Sequence, residues 1–226
     1  MQTYPVFAIV ADKSCLVVGG GLVGERKVQD LLLAGARVTV VSRELTPALE
    51  QIAANGEIRY LKEDFTEEHL AGVVLVIGAT DDPRVNAKVS AAAQARGIWV
   101  NIVDAPELCT FIVPAQVRRG DLLVAIGTGG ASPALARKLR LELEQHFGPQ
   151  YGPYLALLQG VRNRLLTARR GHPDNAGLFK RLVDSPLLEA LARGDRQEVQ
   201  RLLKEILGPA LNPSDLAEVV EKAFKE

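Results

Sequence analysis

The apolar run Cys15-Leu16-Val17-Val18 passes directly into Gly19-Gly20-Gly21-Leu22-Val23-Gly24, and a helical pattern, Glu25-Arg26-Lys27-Val28-Gln29-Asp30-Leu31-Leu32-Leu33, follows at once. Few folds accept that order. A buried strand, a glycine turn and a helix start are the opening of a βαβ unit that binds dinucleotides. Gly19 then serves the tight turn, Gly21 the close approach of backbone to a pyrophosphate, and Gly24 the packing of helix on strand. The first N–H groups of the helix face the phosphates. Glycine turns also join strands to helices without binding anything, so the flanking strand and helix carry the reading.

The rest of the N-terminal half keeps this alternation. Residues 14 to 18 are the first strand, 22 to 34 a helix stopped by Gly35, and Arg37 to Val41 a second strand rich in valine. Thr46-Pro47 starts a short helix ending near Asn55-Gly56, and Ile58 to Leu61 is another strand. Val73 to Ile77 is continuously apolar, as suits a strand covered on both faces. Asp82-Pro83 opens an alanine-rich helix to Arg96, with Gly97 at its C-cap, and Ile98 to Val103 forms the next strand. Strands alternating with helices predict a parallel sheet with right-handed crossovers.

The pattern changes after Asp104-Ala105-Pro106. Thr110 to Arg118 and Leu122 to Ile126 are strands separated only by Arg119-Gly120-Asp121, a hairpin signal, so the parallel domain is expected to end near residue 110. Gly127-Thr128-Gly129-Gly130-Ala131-Ser132-Pro133 leads into a helix with Ser132 at the N-cap and Pro133 at the first helical position. Helices are predicted over roughly 133 to 147, 151 to 169, 175 to 193, 195 to 207 and 213 to 225. The expected fold class is α/β, a Rossmann-type parallel sheet (1–110), then a small hairpin and helix for dimerisation (111–150), then a C-terminal helical domain (151–226).

Length and charge restrict the partners. A chain of 226 residues holds one nucleotide-binding unit and a smaller appendage. Its 27 basic and 27 acidic side chains balance, which gives no reason to expect nucleic acid or a membrane surface as partner. The N-terminus has no signal-peptide pattern and no run is long and apolar enough to span a bilayer, so a cytoplasmic protein is expected. Cys15 and Cys109 form neither a metal pair nor a disulfide framework, and His69, His146 and His172 lack ligand spacing, so no resident metal is expected. Arg169-Arg170 reads as a solvated helix end, with a reach to a polyanionic substrate as the other reading.

In an open parallel sheet ligands lie beyond the carboxyl ends of the strands, where three segments fall: Gly19 to Gly24, Gly78 to Asp82, and Asn101 to Pro106. Thr80 and Asp81 would line the nicotinamide ribose; helix capping before Pro83 is the other reading of Asp81 and Asp82, and the favoured one for Asp82. Asp104 is either a turn-forming residue before Ala105-Pro106 or a carboxylate facing the substrate. Thr128, Gly129 and Gly130 either receive a substrate carboxylate at the helix start or form the turn before Ser132. An acid that grips the ribose of NAD belongs about twenty residues past the glycine loop. The chain has Ser42-Arg43-Glu44 there, and Ser42 with Arg43 suits the 2′-phosphate of NADP as well as Glu44 suits a ribose.

Taken in order, Pro5-Val6-Phe7, the segment Cys15 to Lys27, Gly78 to Asp82, Asn101 to Pro106, Phe111-Ile112-Val113-Pro114 and Gly127 to Arg137 resemble the precorrin-2 dehydrogenase family, which also supplies the N-terminal modules of siroheme synthases. The likeness covers residue 5 to about 147; the helical tail matches by position and type. It implies NAD-dependent oxidation of precorrin-2 to sirohydrochlorin, with some members also inserting ferrous iron. By the same likeness Asp104 is the catalytic aspartate and Thr128 stands where the family often has a serine in the substrate groove; Asn101, Gly129 and Gly130 are expected to bind substrate as well. Leu22 and Val23 lie at the pyrophosphate, Arg43 and Glu44 lie at the adenosine ribose, and the protein is a homodimer. The family's use of NAD favours that cofactor over the generic reading of Arg43. A dehydrogenase without chelatase activity, and a module that senses NAD and a tetrapyrrole without turnover, are the competing readings.

Overall fold

In a computed structural model, residues 2–208 and 210–225 are described. The chain divides into two compact units, Tyr4–Val113 and the chain from Pro114 onward.

The first unit holds a five-stranded sheet. Its strands are β1 (Ser14–Val18), β2 (Arg37–Val41), β3 (Arg59–Leu61), β4 (Leu75–Gly78) and β5 (Trp99–Ile102), and its helices are α1 (Leu22–Leu33), α2 (Pro47–Ala54) and α3 (Pro83–Gln94). The order is β3-β2-β1-β4-β5 with every pair parallel, so the chain reverses its direction of travel across the sheet between β1 and β4. A ligand crevice belongs at the carboxyl end of that switch point.

Both faces of the sheet are covered, which explains the continuous apolar runs. Cys15 and Val17 pack with Val28 and Leu31 of α1 and Leu49 of α2. Leu16 and Val18 face the other way, against Val89, Ala92 and Ala93 of α3. The two-residue period of a strand thus divides one run between two cores. Each such fully buried aliphatic side chain contributes about 1.5–3 kcal/mol relative to exposure.

The second unit begins with β6 (Ala115–Arg119) and β7 (Leu122–Ile126), an antiparallel hairpin, followed by α4 (Pro133–His146). Helices α5 (Tyr151–Ala168), α6 (Asn175–Val183), α7 (Leu187–Ala192), α8 (Arg196–Leu207) and α9 (Pro213–Ala223) complete it. Tyr154, Leu157, Val161 and Leu165 recur at helical spacing along α5 and lie in the core that the bundle shares.

Three expectations are corrected. The strand expected over 110–118 begins at Ala115, because Thr110 caps β5 instead: its N–H donates to the Val100 carbonyl (2.8 Å) and its Oγ1 accepts from the Val100 N–H (2.8 Å). The helix expected over 175–193 is two helices, because Pro186 has no N–H to continue the ladder and disfavours helical backbone at Ser185. The strand expected over 73–77 is Leu75–Gly78, since Val73 closes the turn after Leu70 (N–H to carbonyl, 3.2 Å). No helix of the described residues is long and apolar enough to cross a membrane.

Candidate functional site

The glycine loop is shaped by contact on three sides and is open on the fourth. Gly19 has φ +115°, and a Cβ there would lie 2.3 Å from the Ala79 carbonyl oxygen, so the loop lies directly on the end of β4. A Cβ on Gly24 would lie 2.2 Å from the Gly19 carbonyl oxygen, and one on Gly20 2.1 Å from that of Glu44. The second of these contacts, which ties the loop to the end of β2, is not marked by the fingerprint spacing. At Gly21 a Cβ would meet nothing within 4 Å. Gly21 is also the N-cap of α1 and offers no side-chain cap, which leaves the first-turn N–H groups at Leu22 and Val23 facing an open cradle.

Past β2, Ser42 Oγ donates to the Glu44 carbonyl (2.7 Å), and Tyr60 Oη donates to the Ser42 carbonyl (3.1 Å). Arg43 forms a two-pronged ion pair with Asp64, Nε to Oδ1 at 2.7 Å and Nη2 to Oδ2 at 2.8 Å. The guanidinium holds the Asp64 carboxyl below the usual carboxylate range. Asp64 lies 21 residues away on the loop after β3, and nothing in the local pattern announces it.

After β4, Thr80 is part of a turn. Its Oγ1 lies 2.9 Å from Asn86 Oδ1 and 3.1 Å from the Asp82 carbonyl, and Asn86 Nδ2 donates to the Thr80 carbonyl (2.9 Å). Asn86, a buried polar residue of α3, is the support that sequence reasoning missed. Asp82 is the α3 cap, accepting from the Arg84 N–H (2.8 Å), and Arg84 lowers its carboxyl. Asp81 is exposed beside it.

Asp104 lies just beyond β5, at the same end of the sheet as the glycine loop. The strand end is anchored by the Val103 N–H to the Gly78 carbonyl (2.9 Å). Asp104 has φ +59°, left-handed backbone that few residues other than glycine adopt. It is exposed, and its carboxylate has no hydrogen bond or ion pair with the described residues, so the turn is not formed by its side chain. The turn is secured by Cys109 instead, whose Sγ accepts from the Ile102 N–H (3.1 Å) and lies 3.3 Å from the Ile102 and Ala105 carbonyls. Burial pushes the Cys109 thiol up, which keeps it protonated and unreactive. Asn101 is buried and donates to the Phe111 carbonyl (3.0 Å), so its amide holds the 109–111 segment in place.

In the second unit, Ser132 caps α4, accepting from the Leu135 N–H (3.1 Å). Thr128 Oγ1 donates to the Ser132 carbonyl (3.2 Å), and its own carbonyl accepts from the Ala131 N–H (3.0 Å). Gly129 and Gly130 follow with φ +61° and +82°, and a Cβ on Gly130 would meet nothing within 4 Å. Thr128 thus takes part in the turn that feeds the cap, which by itself does not exclude a ligand at the same turn. Elsewhere in this unit Arg169 donates to His172 Nε2 (2.9 Å). No group of three or more His, Cys, Asp or Glu among the described residues could hold a metal ion.

The residues of the first unit fit a dinucleotide. The open space over Gly21 and the uncapped α1 N-terminus would take a pyrophosphate, and Glu44 and Arg43 stand beyond β2 where a ribose would lie.

Comparison with known proteins agrees with this geometry. The family described as "Putative NAD(P)-binding" matches residues 6–115, and "Sirohaem biosynthesis protein central" matches residues 119–146. The siroheme synthase of Methylobacillus flagellatus is 45% identical over 207 residues, which are 90% of this chain and 44% of that protein. That of Thioalkalivibrio sulfidiphilus is 40% identical over 218 residues, 95% of this chain and again 44% of that protein. The chain thus spans less than half the length of these relatives. A solved structure titled "SirC, precorrin-2 dehydrogenase" superposes with a TM-score of 0.73 at 26% identity, covering 90% of this chain and 98% of that one. In sequence the chain is similar to siroheme synthases over 90–95% of its own length, and in fold to a precorrin-2 dehydrogenase.

Proposed function

We propose that this chain oxidises precorrin-2 to sirohydrochlorin with NAD, a step of siroheme biosynthesis. The observation that carries the reading is the unengaged carboxylate of Asp104, held in left-handed backbone at the sheet end that also presents the glycine cradle. When bound, NAD supplies the hydride acceptor. Removing two hydrogens from the macrocycle leaves one proton to be taken up, and Asp104 is the base for it. A carboxylate without internal partners can accept a proton without breaking a structural bond.

The other roles follow from position. Gly19, Gly21, Leu22, Val23 and Gly24 receive the pyrophosphate and Ser42 to Glu44 the adenosine ribose, with Thr80 and Asp81 beside the nicotinamide ribose. Thr128, Gly129 and Gly130 bind substrate carboxylates, and Asn101 shapes the substrate side through its hold on Phe111. Ferrous iron is a second substrate of the same site: chelation releases protons from the pyrrole nitrogens, which Asp104 would accept.

The active species is a homodimer formed through residues 111–150, with 151–226 as a separate helical domain. Supporting this, α4 buries none of its residues and the hairpin buries only Val117, which is little core for a two-stranded ribbon and one helix. The chain works in the cytoplasm.

The test is anaerobic absorbance of the protein with precorrin-2 and NAD, before and after ferrous iron, beside Asp104→Ala. NADH formed with sirohydrochlorin only when Asp104 is intact supports the dehydrogenase, and an iron-dependent change faster than the uncatalysed one supports chelation. Folded protein that binds both ligands and yields no NADH overturns the enzyme in favour of a sensor.

A further inference from the structure

We propose that Asp64 sets the dinucleotide preference of this chain, by holding Arg43 in a neutralised fork so that the site accepts a ribose with free hydroxyls and rejects one carrying a 2′-phosphate. The inference rests on the dinucleotide-binding reading above and adds a residue that the fingerprint does not contain.

Arg43 lies two residues past the end of β2, the place at which this fold meets the adenosine ribose. A free guanidinium there is a phosphate receptor, because its planar array of donors matches two phosphate oxygens at once. In this chain that edge is already engaged: the Nε and Nη2 donors are both directed at Asp64, at 2.7 and 2.8 Å.

Stability does not account for the pair. Its side chains are 80% and 68% exposed, and ion pairs that exposed contribute little to folding. Its consequence is local charge. The two loops that hold Arg43 and Asp64 also carry Lys62, Glu44 and Glu63, for a net charge of 2 − 3 = −1. A phosphate brought here meets negative charge and an occupied fork, whereas ribose hydroxyls meet carboxylate acceptors. His69 already holds Glu63 (3.0 Å), so Asp64 is the carboxylate that governs Arg43.

The backbone around Arg43 does not depend on the pair. Ser42 Oγ donates to the Glu44 carbonyl, Tyr60 Oη to the Ser42 carbonyl, and Gly20 lies against the Glu44 carbonyl, so the segment is fixed on both sides of the arginine. Removing the Asp64 carboxylate therefore frees the guanidinium in place.

Isothermal titration calorimetry of the full chain with NAD+ and with NADP+ tests this. Asp64→Ala is expected to tighten NADP+ binding at least tenfold, the scale of one charge-assisted hydrogen bond. Asp64→Asn, which keeps the shape and removes the charge, is expected to move in the same direction by less and covers failure of the alanine variant to fold. Adding Arg43→Ala to Asp64→Ala is expected to abolish the gain, which assigns it to the freed guanidinium. The proposal is overturned if a folded Asp64 variant binds NADP+ no better than the parent while NAD+ still binds, or if the gain survives loss of Arg43. A parent that binds neither dinucleotide overturns the functional reading itself, and this inference with it.

Discussion

A Cβ on Gly24 would come 2.2 Å from the carbonyl oxygen of Gly19, so the first turn of α1 is in direct backbone contact with the turn that precedes it. A Cβ on Gly21, two residues from Gly19, would meet nothing within 4 Å. The fingerprint glycines are therefore separable by measurement. Gly24→Ala forces helix and loop apart and should destabilise the fold by about 1–3 kcal/mol. Gly21→Ala should leave the melting temperature nearly unchanged, since its N-cap φ of −78° suits alanine. It should nonetheless weaken NAD binding about tenfold or more, because the methyl group enters the pyrophosphate's space. Thermal melts paired with calorimetric titration of NAD+ check both, and equal loss of stability in the two variants would refute the distinction.

Arg119, at the end of β6, spans to the far end of α4. Its Nε donates to the Phe147 carbonyl at 2.9 Å and its Nη2 to the Glu144 carbonyl at 3.2 Å, satisfying acceptors that a helix C-terminus leaves open. Arg119→Ala should destabilise the protein by about 1–3 kcal/mol and speed amide exchange in the last turn of α4. Arg119→Lys should restore only part of the loss, because an ammonium cannot reach both carbonyls with the same geometry. Exchange rates in α4 that do not change on substitution would show that the helix end is held by other contacts.

Much of the first unit was legible because its signals are local. A strand buried on both faces is a continuous apolar run, so Leu16 and Val17 reveal β1 although they enter different cores. Caps are equally local, and Thr46, Asp82 and Ser132 all accept the expected helix N–H. What escaped was pairing between distant segments. Asp64 and Arg43 lie 21 residues apart, Thr110 and Val100 ten, and neither link leaves a periodic trace in the chain. Thr110 to Val113 therefore read as the start of the hairpin's first strand, when Thr110 instead pairs with Val100 of β5. The carboxylate of Asp104 could be placed at the sheet end but not its freedom from partners, since the turn is tied by Cys109, five residues later.

Cys15 links the first core to pH. Its side chain is fully buried in β1, and desolvation raises the thiol from an ordinary 9.0 to about 11. The folded state thus holds the proton more tightly than the unfolded chain does. This contribution is complete below about pH 9 and is lost as the pH rises through about 11, because only the unfolded thiol ionises in that window. The full rise from 9.0 to about 11 corresponds to a loss on the order of 3 kcal/mol. Cys15→Ala removes the thiol, so the variant should be less stable than the parent near neutral pH, and the gap should close as the pH approaches 11. Denaturant melts across this range check it, with titrating tyrosines and lysines common to both proteins. A gap independent of pH would show that Cys15 ionises equally in both states.

Asp12 and Asp104 are the described residues other than glycine with positive φ, at +58° and +59°. They share a backbone conformation and differ in position. Asp12 turns the chain before β1, where its N–H donates to the Gly35 carbonyl at 2.9 Å, far along the strand from the glycine loop. Left-handed backbone costs a residue with a Cβ about 1 kcal/mol, which glycine avoids at the expense of a more flexible unfolded chain. Asp12→Gly and Asp104→Gly should therefore change stability by similar small amounts, within about 1 kcal/mol of the parent. Their effects on turnover should diverge. Asp12→Gly should oxidise precorrin-2 at the parental rate, while Asp104→Gly should lose it by a hundredfold or more, the usual scale for a general base. Because the two variants make the same chemical change to the same backbone conformation, the comparison separates the carboxylate's chemistry from the geometry of the turn. If Asp104→Gly retains turnover, the base lies elsewhere and the strained backbone at the end of β5 serves the fold alone.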